Sequence, residues 1–172
     1  MQIHAGNLKG RRIKTVKNAP YRPTTALVRK SLFDILGNIE NNTFLDLFSG
    51  TGIIGFEAKS RGARHVTFVE KSLRAHALLK MNFSLLGMTN DNCVIKKVDA
   101  FQFIKQSQKF DIIFADPPYD SDNLELLIDP VLDMLKIDGI FVLESTPQEF
   151  SNKPFRVREY GDTQLGFWKN ES

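Results

Sequence analysis

The stretch Asp46-Leu47-Phe48-Ser49-Gly50-Thr51-Gly52-Ile53-Ile54-Gly55-Phe56-Glu57 decides how the rest of this 172-residue chain is read. A short apolar run, "FLDLF" at residues 44–48, leads into it, and a helical pattern, "IIGFEAKSR" at 53–61, leads out. Gly50, Gly52 and Gly55 spell G-x-G-x-x-G at the junction. Glycines there let the backbone bend sharply and approach a ligand at the N-terminus of the following helix. Twenty residues after Gly50, a second apolar run ends in Glu70, where a carboxylate can accept both hydroxyls of an adenosine ribose. A glycine triad alone is weak evidence. Strand, turn, helix and strand-end acid in register make it a nucleotide-binding βαβ unit.

Outward from this turn the same alternation continues. The strand candidates are "FLDLF", "HVTFVE", "CVIKKVD", "DIIFAD" and "GIFVLE", separated by "IIGFEAKSR", "SLRAHALLKMNFSLLG", "AFQFIKQS" and "NLELLIDPVLDMLK". Pro130 argues for a break or kink in the last of these. Such a pattern predicts an α/β fold with a doubly wound, Rossmann-like sheet and right-handed crossovers. "FRVREY" and "TQLGFWK", joined at Gly161-Asp162, predict an antiparallel C-terminal hairpin, so the sheet is mostly parallel. Upstream, "QIHAGNLKGRRIKT" reads as an N-terminal β-hairpin, and "YRPTTALVRKSLFDILG" as a helix capped by Thr24 or Thr25 and ended by Gly37. Residues 1–172 are expected to form a single domain, with 1–23 as a basic hairpin extension.

Composition is ordinary for a soluble globular chain, 42% apolar and 25% charged. No apolar run is long enough to cross a bilayer, and "MQIHAGNLKG" lacks the apolar core of a signal peptide. The lone Cys93 excludes an internal disulfide and reads as a buried, inert thiol in a reducing, cytoplasmic setting. Charge is lopsided. Residues 1–30 hold eight bases and no acid, while the remaining fifteen bases face all twenty acids. A basic arm on an acidic body fits a polyanionic partner, and equally a solvated face. His4, His65 and His76 are scattered, no spacing suits a metal, and Glu144 at the end of the fifth strand carries no assigned role beyond structure.

Two cofactors fit the turn, a dinucleotide or S-adenosylmethionine. Asp46, four residues before Gly50, would repel a pyrophosphate and suits a ligand carrying an ammonium and a sulfonium. Asp99, ending the third strand, is placed either to accept from an adenine amine or to cap "AFQFIKQ". The fourth strand ends in Asp116-Pro117-Pro118-Tyr119. Two prolines stiffen the backbone and remove two donors, leaving acceptors beside an aromatic plate. Such a set suits a planar base with an exocyclic amine: the Asp116 side chain and the Pro117 carbonyl accept its two N–H groups, and Tyr119 stacks on the ring. The amine lone pair is then aimed at a methyl sulfonium for in-line attack, with the proton leaving to Asp116 or water.

Asp116 to Tyr119 with Asp46-Leu47-Phe48-Ser49-Gly50-Thr51-Gly52 resembles the amino-methyltransferases of the adenosylmethionine-dependent superfamily. Nearly the whole chain resembles the bacterial 16S rRNA guanine-N2 methyltransferase family, through "AGNLKGRRIKT", "RPTTALVRKSLFDIL", "LDLFSGTGIIGFEAKSRGA", "FVEKS" and "YGDTQL". The resemblance implies a monomeric enzyme acting on one guanine of 16S rRNA within a 30S assembly particle. It implies Asp116, Pro117, Pro118 and Tyr119 as the amine-binding, catalytic residues. It puts Asp46, Phe48, Ser49, Gly50, Thr51, Gly52, Glu70, Lys71, Asp99 and Ala100 along the cofactor, with Arg22 and Thr24 closing over it. Lys9, Arg11, Arg12, Lys14 and Arg22 meet RNA. Ser49 stands where alanine is common, and the short link from Glu144 to Phe155 predicts a lost helix and altered packing at that edge. Other readings are an N6-adenine methyltransferase on RNA or DNA, a non-catalytic RNA-binding assembly factor and, weakest, a nicotinamide oxidoreductase.

Overall fold

All seven strand candidates of the sequence become strands of one seven-stranded sheet in the computed structural model, which describes residues 1–15, 24–118 and 124–171. Strands β1 (Thr43–Leu47), β2 (His65–Val69), β3 (Cys93–Lys96), β4 (Phe110–Ala115) and β5 (Leu135–Ser145) are mutually parallel. Strands β6 (Arg156–Tyr160) and β7 (Thr163–Lys169) form the expected antiparallel hairpin, β7 pairing with β5. The order is β3-β2-β1-β4-β5-β7-β6. The winding reverses between β1 and β4, where a doubly wound sheet opens its ligand crevice.

Helices cover both faces. Helices α1 (Ala26–Leu36), α2 (Ile53–Ser60) and α3 (Leu73–Leu85) bury Leu32, Phe33, Phe56 and Leu79 with Phe44 and Phe68 of the sheet. Helices α4 (Ala100–Phe103) and α5 (Glu125–Leu132) bury Phe103, Leu127 and Val131 against Leu45, Ile113 and Phe141 on the other face. Thr25 caps α1 by accepting from the Val28 amide, and Gly37 ends it. Cys93 is fully buried, and that burial pushes its thiol up to about 11.

Several boundaries differ from expectation. Helix α5 runs through Pro130 and ends two residues later at Leu132, so the proline sits in the last turn instead of breaking the helix. "AFQFIKQS" yields one helical turn and "CVIKKVD" only four strand residues. Strand β5 starts four residues before "GIFVLE", its register shifting where Phe110 pairs with Leu135 and Ile112 with Ile140. No helix stands between β5 and β6. There Phe150 meets Trp168 edge-on at 5.4 Å, and Trp168 Nε1 donates to Asn152 O, so the shortened edge is packed by that ring pair.

The N-terminal hairpin is knit into the fold by polar side chains. Residues 1–3 pair antiparallel with 11–13. Glu57 of α2, fully buried, accepts from the His4 and Ala5 amides, and Ser60 Oγ accepts from Leu8 N. Arg29 of α1 donates to Gln2 O and contacts His4 Nε2 at 2.9 Å. Gly6 lies so close to α2 that an added Cβ would sit 1.7 Å from Ser60 O, at a φ of +79°. Gly6→Ala should therefore destabilise the protein by roughly 3 kcal/mol in urea unfolding, since clash and positive φ add. A loss below half that size would mean the hairpin is loosely held.

Candidate active site

The C-terminal ends of β1 and β4 and the loops after them enclose a cavity of about 330 Å³, the size of a small-molecule site. Asp46, 1% exposed, rises from β1 into its wall and accepts from the Gly55 amide at 3.0 Å. Phe48, Ser49, Gly50 and Thr51 continue the wall along the turn. Phe48 holds a φ of +59°, a strained value for a bulky residue, and packs edge-on against Phe101. Ser49 donates to Asp46 O at 2.6 Å and accepts from Val69 N at 3.0 Å, bracing β1 against β2 where an alanine could not.

The three glycines divide their work. An added Cβ at Gly52 would lie 2.4 Å from Leu79 Cδ1, and one at Gly55 would lie 2.2 Å from Phe68 Cε1, so both are packing glycines. Gly52 does not line the cavity. Gly50 does, and a Cβ added there would meet open space, with Phe48 O nearest at 4.0 Å.

Glu70 lines the cavity with each oxygen holding one backbone amide: Oε2 accepts from Gly50 N at 2.9 Å and Oε1 from Ser72 N at 2.8 Å. A carboxylate has about four acceptor sites, so two remain for a ligand hydroxyl pair. Lys71 and Ala100 are also on the wall. Asp99 is not. Its Oδ1 caps α4 through Phe101 N and its Oδ2 accepts from Lys71 Nζ, the capping arrangement that the sequence left open.

Asp116 follows β4 and opens on the same cavity, with Pro117 and Pro118 beside it. Its carboxyl is raised well above the usual range by burial and, next, by the Glu144 carboxylate. Tyr119 and Arg22 lie outside the described residues. Thr24, 6% exposed, sits between two acids, its Oγ1 2.9 Å from Glu144 Oε2 and 3.3 Å from Asp116 Oδ2. Lys9, Arg11, Arg12 and Lys14 are all exposed on the hairpin. Lys14 is tied to the site by Asn82, whose side chain bonds Lys14 N and O and Thr51 O. Among the described residues, no group of three or more His, Cys, Asp or Glu is arranged to hold a metal, and no helix is long and apolar enough to cross a membrane.

The family model described as conserved hypothetical protein 95 matches residues 1–169. The chain belongs to that family. YlbH of Bacillus subtilis strain 168 is 36% identical over 151 residues, 84% of this chain and 82% of that protein. Ribosomal RNA small subunit methyltransferase D of Buchnera aphidicola subsp. Acyrthosiphon pisum is 40% identical over 121 residues, covering 68% of this chain but 62% of that relative's length. Among solved structures, the yhhF protein of Escherichia coli superposes with a TM-score of 0.87 at 27% identity, over 99% of this chain and 98% of that one.

Two residues of this family member escaped the sequence reading. Glu144, next to last in β5, stands beside Asp116, the residue after β4, and the signal available was the shared feature of an acid closing each of two neighbouring apolar runs. Asn82 gave no signal, since one asparagine in a helix carries no pattern.

Burial pushes Asp46 up to about 8; the Gly55 amide opposes that shift and the Glu70 carboxylate adds to it. The folded state thus keeps a proton that the unfolded state releases near the ordinary carboxylate value, so stability falls as pH rises toward about 8. Asp46→Asn removes this component. Its melting temperature relative to wild type should climb between pH 5 and about 8 and then level off. A difference that stays flat across that range would show Asp46 ionised throughout.

Proposed function

We propose that this protein is an S-adenosylmethionine-dependent methyltransferase that modifies the exocyclic N2 amine of a guanine in small-subunit 16S rRNA. The observation that carries the reading is Asp116-Pro117, an acceptor pair at the end of β4, opening on the same cavity as the Gly50 turn, Asp46 and Glu70. The relative called Ribosomal RNA small subunit methyltransferase D supports the substrate. The residues fit the methyl donor: Asp46, Glu70 and Asp116 give the cavity an acidic wall, and three amides of the turn are already engaged by protein acceptors. A ligand bearing an ammonium and a sulfonium is favoured there over an anionic one. When bound, it supplies an electrophilic methyl group.

The chain's own residues do the rest. Glu70 holds the ribose hydroxyls, and Ser49 to Thr51 set the floor beneath the donor, Gly52 shaping the turn by packing. Phe48, Lys71 and Ala100 flank the adenosine, and Arg22 and Thr24 close over it. Asp99 positions this side by capping α4. Asp116 and the Pro117 carbonyl orient the guanine amine, Pro118 stiffens the loop, and Tyr119 stacks on the base. Orientation of this kind lowers a barrier by several kcal/mol, up to roughly 7–11 in favourable cases. Lys9, Arg11, Arg12, Lys14 and Arg22 form the RNA-facing arm. Residues 1–172 work as one domain with 1–23 as its basic extension, as a cytoplasmic monomer acting on a 30S assembly particle.

The test offers adenosylmethionine with a tritiated methyl group together with 30S particles, naked 16S rRNA, tRNA and duplex DNA, followed by nucleoside identification. N2-methylguanosine in particles or rRNA is expected; methyladenosine would move the enzyme to adenine N6 chemistry, and no label with the donor still bound would favour an assembly factor. Asp116→Ala should cut transfer on the order of 100-fold or more while the donor's Kd stays within about threefold. Arg11→Glu with Arg12→Glu should weaken RNA binding most at low salt, flattening the slope of log K against log salt by roughly 0.7–0.9 for each phosphate no longer neutralised. An unchanged slope would make the arm a solvated face.

A further inference from the structure

Glu144 and Asp116 stand at the C-terminal ends of adjacent strands, one residue past the pair Ala115 and Leu143. Thr24 Oγ1 bridges them, at 2.9 Å from Glu144 Oε2 and 3.3 Å from Asp116 Oδ2. Glu144 is 2% exposed, and Asp116 faces the cavity. A hydroxyl has one proton and gives it to one acceptor at a time. The shorter contact assigns that proton to Glu144. The longer contact becomes a hydrogen bond when Asp116 carries a proton of its own and donates it to Thr24 Oγ1. The three groups then form a chain in which Asp116 donates to Thr24 and Thr24 donates to Glu144. Carboxyls coupled in this way titrate as a pair.

We infer that Glu144, acting through the Thr24 hydroxyl, is a positioning residue for amine methylation: it shares a proton with Asp116 and keeps Asp116 able to take the proton that the substrate amine gives up. The inference rests on the methyl-transfer reading. With one proton on the pair, an amine N–H pointing at Asp116 favours the arrangement in which Asp116 has passed its proton to Thr24 and Thr24 has passed its own to Glu144. Asp116 then faces the amine as a carboxylate. Methyl transfer forms the N–C bond, breaks the C–S bond with its electron pair left on sulfur, and leaves one surplus proton on nitrogen. That proton goes to Asp116, and the pair, now holding two, returns one to solvent as product leaves. The acids facing Asp116 are Glu144 on β5 and Asp46 on β1, and Thr24 is the hydroxyl donor on the segment before α1. Glu144 keeps interactions besides Thr24, so this role does not require it to be an isolated charge.

The experiment is a ¹³C NMR titration of protein labelled at its aspartate and glutamate carboxyl carbons, the Asp116 resonance being identified by its loss in Asp116→Asn. In wild type that resonance should move in two steps, the upper one well above the ordinary carboxylate range; in Glu144→Gln it should show a single, lower step. Thr24→Val should slow kcat roughly tenfold with KM for RNA little changed, and Thr24→Ser, which restores the hydroxyl, should recover it. Identical Asp116 titrations in wild type and Glu144→Gln overturn the inference, as does a Thr24→Ser variant no better than Thr24→Val. Absence of methyl transfer by wild type on every substrate overturns the reaction instead, while the titration still decides whether the proton is shared.

Discussion

Parallel strands all end at one edge of their sheet, and whatever residue closes each strand is delivered to that edge. Here the constraint gathers acids. Asp46 near the end of β1, Glu70 after β2, Asp116 after β4 and Glu144 near the end of β5 meet around one crevice. Carboxylates that lose water in each other's company cost several kcal/mol unless donors replace it. The fold supplies those donors from turns and helix starts: the Gly55 amide in the first turn of α2 for Asp46, and the Gly50 and Ser72 amides for Glu70. Helix N-termini carry partial positive charge, so these amides are well suited to the task. Thr24 serves Glu144, with Asp116 at the longer distance.

The basic arm depends on that same edge. Among its described residues the hairpin has a single antiparallel bridge, far too little to persist alone. It persists because buried polar side chains of α1, α2 and α3 receive its backbone. Glu57 takes two of its amides, Ser60 a third, and Arg29 one carbonyl. At its far end Asn82 joins Lys14 to Thr51, and Thr51 lines the cavity. One fully buried amide side chain thus fixes the distance between the exposed bases and the crevice. Ile3 and Ile13 add the apolar contact that excludes water from these bonds.

What was legible in the sequence was whatever repeats or alternates. Strand and helix periods located all seven strands and the helices, and the glycine turn with Glu70 twenty residues on located the crevice. Boundaries set by tertiary packing were not legible. Nothing local says that Pro130 falls late enough in α5 to be tolerated, or that β5 begins at Leu135 before its register shift. The glycine triad was legible as a motif but not in its division of labour, because Phe68, which demands Gly55, and Leu79, which with Phe56 of α2 demands Gly52, come from other elements. Asp99 shows the same limit. Its cap on α4 and its ion pair with Lys71 Nζ, 3.1 Å away, depend on where the chain folds, and neither is written in the local sequence. Glu144 was visible as a strand-end acid, yet its meaning lay in Thr24, 120 residues earlier.

The choice of ligand at the turn rests on hydrogen bonds more than on charge. Repulsion between Asp46 and a pyrophosphate is a weak argument once burial holds Asp46 protonated up to about 8, because a neutral acid repels little. The stronger argument is that an anion binds a helix N-terminus through free backbone N–H groups. In this turn Gly50 N is given to Glu70, Gly52 N to Ser49 O and Gly55 N to Asp46. A phosphate would have to displace two carboxylates to reach those amides, leaving Asp46 without its donor and Glu70 with only the Ser72 amide, in a crevice that already holds a third acid. A cationic ligand displaces nothing. It lowers the proton affinity of Asp46 and Asp116, draws them into their charged forms, and is held by the same carboxylates whose confinement otherwise opposes folding. A sulfonium flanked by an ammonium is such a ligand, and the open space at Gly50 is where its amino-acid end would rest.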